Sequence, residues 1–408
     1  MSYLSGELIP GQVAYDLLPP VMLLLLPISL SAWYRRKAFQ KCGEDRTTIW
    51  FGYRAQARFI ILTTVAVWWA LWDLHGGWLR TLKMLPPWLS LFLNENHQHL
   101  LFSIPPIAAL FLLQILNFST DKTVSGLHWS HIAIARRAWW SVVQNIISML
   151  MVAAGFEAIY AGHYFGILWL FGAVVFHRVG LVFLRLAEGI RFNRLKSGEL
   201  RNRAFAIARK MGISLKSVCM VPAGKGHLTN AFGASNMIAL TDALPKYLSE
   251  RQLDSVIAHE LIHVKHKHSR MGSLIIVLSF SALMLLMFKI SVQIMQFRPL
   301  LDFIVVYLPM IGYYYSSRLA EFEADREAVL YTGDPETAIR ALANLYQTAG
   351  VPVRCSKFCE LFHTHPSLTR RVWAIARVGE LPKDRVSKVL KENGISAIIP
   401  NTNTEISS

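Results

Sequence analysis

Seven long apolar runs constrain this 408-residue chain more than any other feature. They lie at roughly 14–34, 59–79, 99–118, 138–160, 164–186, 272–293 and 299–317. Each is near the ~20 residues that a helix needs to cross a bilayer. In lipid the backbone must satisfy its polar groups internally, so such runs fold as packed helices. The expected fold is therefore mainly α: a seven-span transmembrane bundle. Overall, 53% of residues are hydrophobic, a small excess over the roughly 45–50% of soluble domains. That excess is gathered into the runs. His177 and Arg178 interrupt the fifth. A charge at that depth is costly, so Arg178 is expected to be paired inside the bundle or to line a chamber.

The charge, +16 in total, sets the orientation. Arg35, Arg36, Lys37, Lys41, Arg46 and Arg54 follow the first run, and Arg185, Arg191, Arg194 and Lys196 follow the fifth. The alternate loops are poor in Lys and Arg. By the positive-inside rule the N-terminus lies outside, and both polar regions lie in the cytoplasm. Cations at the ends of apolar runs fit an anionic membrane face, and no base-reading module is present, so nucleic acid is not an expected partner. The first run has no basic residue ahead of it and reads as an anchor rather than a cleavable signal. Of the four cysteines, Cys42 and Cys219 are isolated. Cys355 and Cys359 lack further ligands nearby, so all four read as reduced structural thiols.

Between the fifth and sixth runs the pattern changes. GELRNRAFAIARKMG reads as an amphipathic helix stopping at Gly212. SVCMVP, LTNAFGAS and NMIALT read as strands of a small antiparallel sheet, with a turn near Ser235–Asn236. TDALPKYLSERQLDSVIAHELIHVKHKH reads as two helices, with Ser249 and Gln252 as a capping box for the second. Residues 318–408 read as helical, broken at Gly333-Asp334-Pro335 and at His365-Pro366, with a disordered tail.

The second helix holds the chemistry. On it His259 and His263 stand one turn apart on one face, so both imidazoles can converge on one ion. Glu260 is beside them, placed to act as general base on an attacking water. A catalytic zinc needs a third protein ligand and an open position. A third histidine ten residues after the first is ruled out, because position 269 is Ser. His266 shares the stripe but lies nearly two turns from His259, which makes it a poor ligand. The better candidate follows the last run, in SSRLAEFEADREAV: Glu321 and Asp325 are i, i+4 on an expected helix. Glu321 would ligate, and Asp325 would accept the free N–H of a ligating imidazole. Glu323 points to the other side and is expected to be solvated.

AHELIHVKHKHS together with SRLAEFEAD resembles the integral-membrane gluzincin peptidases, the family of HtpX-type proteases and zinc-type CAAX prenyl proteases. LTNAFGASNMIALTDAL and HTHPSLTRRV resemble further segments of that family. The resemblance implies one Zn2+ per chain held by His259, His263 and Glu321, with Glu260 as base and Asp325 behind a ligand. It implies that His365 stabilises the transition state and that Arg371 pins this segment or a neighbouring acid. Asn230, Ala231 and Phe232 would lie on a substrate-binding edge strand. The domain order it suggests is 1–186 as a five-span region, 187–271 as the first half of a cytoplasmic protease domain, 272–317 as a two-span hairpin, and 318–408 as the second half and tail. The activity implied is hydrolysis of membrane proteins or peptides, with lipid as the surrounding partner. Two other readings stay open: a seven-span metal transporter or receptor, and an inactive zinc-holding scaffold. The sequence leaves the oligomeric state unspecified.

Overall fold

The computed structural model describes residues 10–40, 46–70, 104–125, 130–160, 162–187, 192–222, 230–234, 236–268, 298–349, 353 and 356–395, with a few positions between 271 and 282. Five helices come first: α1 Pro10–Gln40, α2 Arg46–Ala70, α3 Ile104–Ser125, α4 His131–Tyr160 and α5 Gly166–Ala187, which carries Arg178. They cover the first five apolar runs apart from 71–79 and 99–103, which lie outside the described residues, as does most of 272–293. Among the described residues no helix is long and apolar enough to cross a membrane. Cys219 and Cys359 are free and buried; Cys42, Cys355 and the tail from 396 lie outside the described residues.

After a short strand, β1 Asn193–Arg194, come α6 Glu199–Lys210, β2 Ser217–Val221, β3 Ala231–Ala234, β4 Met237–Thr241, α7 Leu244–Tyr247 and α8 Glu250–His266. The chain leaves α6 through Gly212 at φ +67, a conformation open to glycine at little cost. The sheet has the order β1-β2-β4-β3. It is mixed, which corrects the antiparallel expectation: β2 and β4 run parallel, with Val218 opposite Ile238 and Met220 opposite Leu240. β3 and β4 form the expected antiparallel hairpin. β4 takes the inner place because Ile238, Ala239, Leu240 and Thr241 are all buried, as suits a strand covered on both faces. β3, with Gly233 and half-exposed Phe232, is left at the edge.

α8 starts as expected. The Ser249 hydroxyl accepts from Gln252 N, and Gln252 Oε1 accepts from Ser249 N. Arg203 of α6 holds it from outside, donating to both oxygens of Asp254 at 3.1 and 2.7 Å. Underneath, Ile257 and Leu261 pack with Val218, Ile238 and Leu240 of the sheet. Each such side chain contributes about 1.5–3 kcal/mol on burial, so the face opposite the histidines is fixed to the sheet.

α9 Arg298–Thr332 is one 35-residue helix. Its early part packs on α2, through Tyr307 against Phe59, and its later part lies against α8. It ends at Gly333, φ +65, and Asp334 Oδ1 accepts from Thr337 N at 2.9 Å to open α10 Pro335–Ala349. α11 Lys357–Leu361, α12 Leu368–Val378 and α13 Lys383–Glu392 are the last helices among the described residues. Ile339, Leu342, Leu368, Val372 and Leu390 form the core that fixes α12 on α10.

Candidate active site

Three carboxylate and imidazole groups from α8 and α9 meet where these helices face one another. His263 Nε2 lies 3.1 Å from His259 Nε2. Glu321 Oε2 is 3.6 Å from His259 Nε2, and Glu321 Oε1 is 3.5 Å from His263 Nε2. One ligand atom from each of the three lies within 4.8 Å of the others. Two nitrogens around a tetrahedral zinc, each at about 2.0–2.1 Å, stand about 3.3 Å apart. The arrangement fits a single cation.

The backing of His259 supports the same fit. Its Nδ1 lies 3.0 Å from Asp325 Oδ1, which turns Nε2 toward Glu321. Arg371 of α12 donates through Nε to Asp325 Oδ2 at 2.8 Å and through Nη2 to Oδ1 at 2.7 Å. Its Nη1 is 2.9 Å from Glu321 Oε2. Burial alone would lower the His259 imidazole, but bonds to Asp325 and Glu321 outweigh it and push the group up to about 10. The pocket thus favours positive charge at that ring, which a cation beside Nε2 would supply. Burial would raise Glu321, yet His365 and Arg371 hold it well below the usual carboxylate range. Asp325 is likewise held down by Arg371 against its burial.

Glu260 sits on the inner side of α8, nearly buried. β3 runs directly over it: a Cβ on Gly233 would lie 2.3 Å from the Glu260 carbonyl oxygen and 3.2 Å from Oε2. Only a residue without a side chain lets the strand come this close. Asn230 and Ala231 stand at the start of β3, where Asn230 Oδ1 accepts from Ala231 N at 2.9 Å. Phe232 is 44% exposed along the sheet edge.

His365 arrives from the turn between α11 and α12. Its Nε2 is 3.4 Å from Glu321 Oε1, and 57% of its side chain is open to solvent. Arg318, three residues before Glu321, holds that turn by donating to the carbonyls of Glu360 at 2.6 Å and His363 at 2.9 Å. Arg58 of α2 donates to the carbonyl of Phe362. The Glu360 carboxylate accepts from Ser367 N at 3.0 Å, and Tyr346 donates to the Pro366 carbonyl at 2.8 Å. None of these supports was expected from the sequence. Their targets are backbone carbonyls and amides, which leave no spacing pattern. Gly233 did carry a signal, being a glycine inside a strand pattern. Glu323, expected to be solvated, is half-exposed and lies 3.0 Å from His268 Nε2. Burial and the nearby His263 lower His268 below its ordinary value, with Glu323 opposing.

Known proteins share this part of the chain. Residues 194–378 match peptidase family M48. A protease HtpX homolog of Helicobacter pylori (strain Shi470) is 30% identical over 183 residues, covering 38% of this chain and 58% of the relative. One of Campylobacter concisus is 27% identical over 208 residues, covering 42% of this chain and 71% of the relative. The chain thus spans less than two thirds of the Helicobacter protein's length. Among solved structures, the crystal structure of S. mikatae Ste24p aligns at 17% identity and a TM-score of 0.47, over 91% of this chain and 100% of that one. Residues 194–378, the part of the chain that is similar to peptidase family M48, are thus also the part that brings His259, His263 and Glu321 together.

Proposed function

We propose that this chain is a zinc-dependent endopeptidase of the membrane, cleaving membrane-associated proteins or peptides at the cytoplasmic face or in a chamber between spans. One observation carries the proposal: two imidazoles and a carboxylate from separate helices converge beside Glu260, directly under the strand that is at the sheet edge among the described residues. The membrane part draws support from apolar side chains turned outward on the long helices, among them Leu25 of α1, Phe171 of α5 and Leu308 of α9. Exposed apolar surface on this scale marks contact with lipid or another apolar partner. In this reading the N-terminus is outside and the domain boundaries are those given by the sequence.

His259, His263 and Glu321 would hold the zinc, which supplies Lewis acidity toward water and the scissile carbonyl. Asp325 fixes the His259 tautomer, and Arg371 holds Asp325 and Glu321 in register. An extended substrate would add as a strand beside Ala231–Gly233, along the outer edge of β3. Glu260 takes the proton of the attacking water and later delivers it to the leaving amine. His365, exposed and facing Glu321, donates to the developing oxyanion. Because α9 leads straight from an outward-facing apolar stretch into Glu321, substrates presented at a lipid surface reach the site by the shortest path.

The decisive variant is Glu260→Gln in purified full-length protein. It is expected to retain one zinc per chain by metal analysis while chelator-sensitive cleavage of labelled casein falls by about 10²–10⁴-fold. Wild-type cleavage by the variant would overturn the mechanism. Zinc uptake into sealed vesicles without any cleavage would favour the transport reading instead.

A further inference from the structure

Beyond the two imidazoles that face Glu321, the last residue of α8, His266, and His268 just past the helix end are two more histidines that the proposed mechanism leaves unused. His268 Nδ1 lies 2.8 Å from His263 Nδ1. His268 Nε2 lies 3.0 Å from Glu323 Oε2. His266 stacks on His268, with ring centroids 5.4 Å apart and planes at 11°. Ligand atoms of His266, His268 and Glu323 come within 4.8 Å of one another, so a second cation site competes as an explanation. However, His266 Nε2 is engaged by Glu327 Oε1 at 2.7 Å and stands 3.9 Å from Glu323.

The hydrogen positions decide between the two. A neutral imidazole carries one proton, and the ring nitrogen facing a metal must be bare. With His263 Nε2 turned toward His259 and Glu321, its proton is on Nδ1, and the acceptor opposite is His268 Nδ1. The proton of His268 is then on Nε2, where it donates to Glu323. Every donor along this line faces an acceptor. A cation on His268 Nε2 would force its proton onto Nδ1, directly against that of His263.

We infer that His268 and Glu323 are positioning residues for His263, holding its Nε2 toward the proposed ion, as Asp325 and Arg371 do for His259. The inference rests on the proposed zinc reading. The two supports differ in kind. Asp325 touches its imidazole directly and is buried, whereas Glu323 acts through a second imidazole and is 45% exposed at its side chain. The hold on His263 is therefore the one exposed to solvent.

Zinc affinity of the full chain, measured by competition with a chromophoric chelator, tests this without reference to activity. His268→Leu is expected to bind zinc about 10–100-fold more weakly, and Glu323→Ala to fall between it and wild type. His268→Asn places an acceptor, the amide oxygen, one bond from Cγ as Nδ1 is, so it is expected to restore most of the affinity; this separates orientation from a general packing loss. His266→Ala is expected to change nothing. If His268→Leu binds one zinc as tightly as wild type, the relay falls and the active-site reading stands. Two zinc ions per wild-type chain, with one lost in His266→Ala, would overturn the relay in favour of a second cation site. A wild-type chain that binds no zinc would overturn the active-site reading and the relay together.

Discussion

The described residues of 10–187 and those of 192–266 with 318–395 are packed by opposite rules. In the first region large apolar side chains such as Leu25, Leu168, Phe171 and Val175 face outward, while Ser31, Thr64, Thr120 and Gln144 are buried. The buried hydroxyls are answered locally: Thr64 donates to Ile60 O, and Thr120 to Leu116 O, each at 2.7 Å, while Ser31 and Tyr53 pair at 3.2 Å. In the second region Ile238, Leu240, Ile257 and Leu261 are fully buried, and the buried charges gather at the site and the turn beside it: Glu260, Arg318, Glu321, Asp325, Glu360 and Arg371. Polar groups between helices suit a bundle whose surroundings are apolar, where burying leucine against leucine gains little. An apolar core suits a domain in water, where it supplies the free energy to hold charges together against their desolvation. α9 takes part in both, which puts Glu321 at the junction.

The contrast breaks most severely at Arg371. Replacing it by Leu leaves Asp325 and Glu321 as buried charges without their cation, a loss of about 3–5 kcal/mol in the family of buried ion pairs with one partner removed. Urea unfolding followed by tryptophan fluorescence should register that loss. A cost below about 1 kcal/mol would mean that the charges are hydrated rather than held by an apolar frame. Next comes Val175→Arg on the outward face of α5. In lipid, an arginine at mid-helix costs about 2.5–3.5 kcal/mol. At a water-exposed position a surface substitution usually stays within about 0.5 kcal/mol. Carbonate extraction of membranes from expressing cells reads the difference, and a variant that integrates like wild type would remove the inside-out half of the contrast.

Gly233 sharpens the comparison within the second region. Adding a methyl group there brings it to 2.3 Å from the Glu260 carbonyl, so strand or helix must shift. Overpacking of this kind costs about 1–3 kcal/mol, and a displacement near 1 Å at the reacting groups can cost about 10²-fold in rate. Gly233→Ala should therefore fold, bind zinc with wild-type affinity and cleave poorly. Full activity would show that β3 does not set the position of Glu260.

What could be read from the sequence follows the same division of forces. The α8 cap, the break at Gly333–Pro335 and the spacing of His259 with His263 and of Glu321 with Asp325 all rest on short-range geometry: a capping box, a turn dipeptide, side chains one helical turn apart. Those were legible. That α8 and α9 would face each other was anticipated from the need for a third ligand and from the resemblance, because nothing in the apolar or polar pattern of either segment specifies its partner. The parallel pairing of β2 with β4 was missed since alternation within a strand says nothing about its neighbour. Arg318, Arg58 and Glu360, which hold the His365 turn, act on backbone atoms. Such bonds depend on the final path of the chain and have no periodic signature. His268 and Glu323 were visible as residues, but their roles depend on a 2.8 Å contact across the end of a helix.

The smallest expected effect lies on the surface of the second region, where core and charge are separable. Glu336 of α10 accepts from Arg340 at 2.8 Å and from Arg385 of α13 at 2.7 Å. Arg340, then Arg385, holds its carboxyl below the ordinary value of 4.5. A carboxylate with a depressed folded-state value adds stability above the unfolded value and loses it as the pH falls through the folded one. The contribution of Glu336 should thus be complete above about pH 5 and fade as the solution is acidified below 4.5. Since the groups are partly exposed, it should amount to less than about 1 kcal/mol and shrink with added salt. Melting temperatures of wild type and Glu336→Gln, compared from pH 7 to pH 3.5, should differ at the upper end and converge at the lower. A difference that grows on acidification would place the stabilising charge elsewhere and leave the α10–α13 contact to its core, which includes Ile339, Leu342, Val386 and Leu390, and to the Arg340–Glu392 pair.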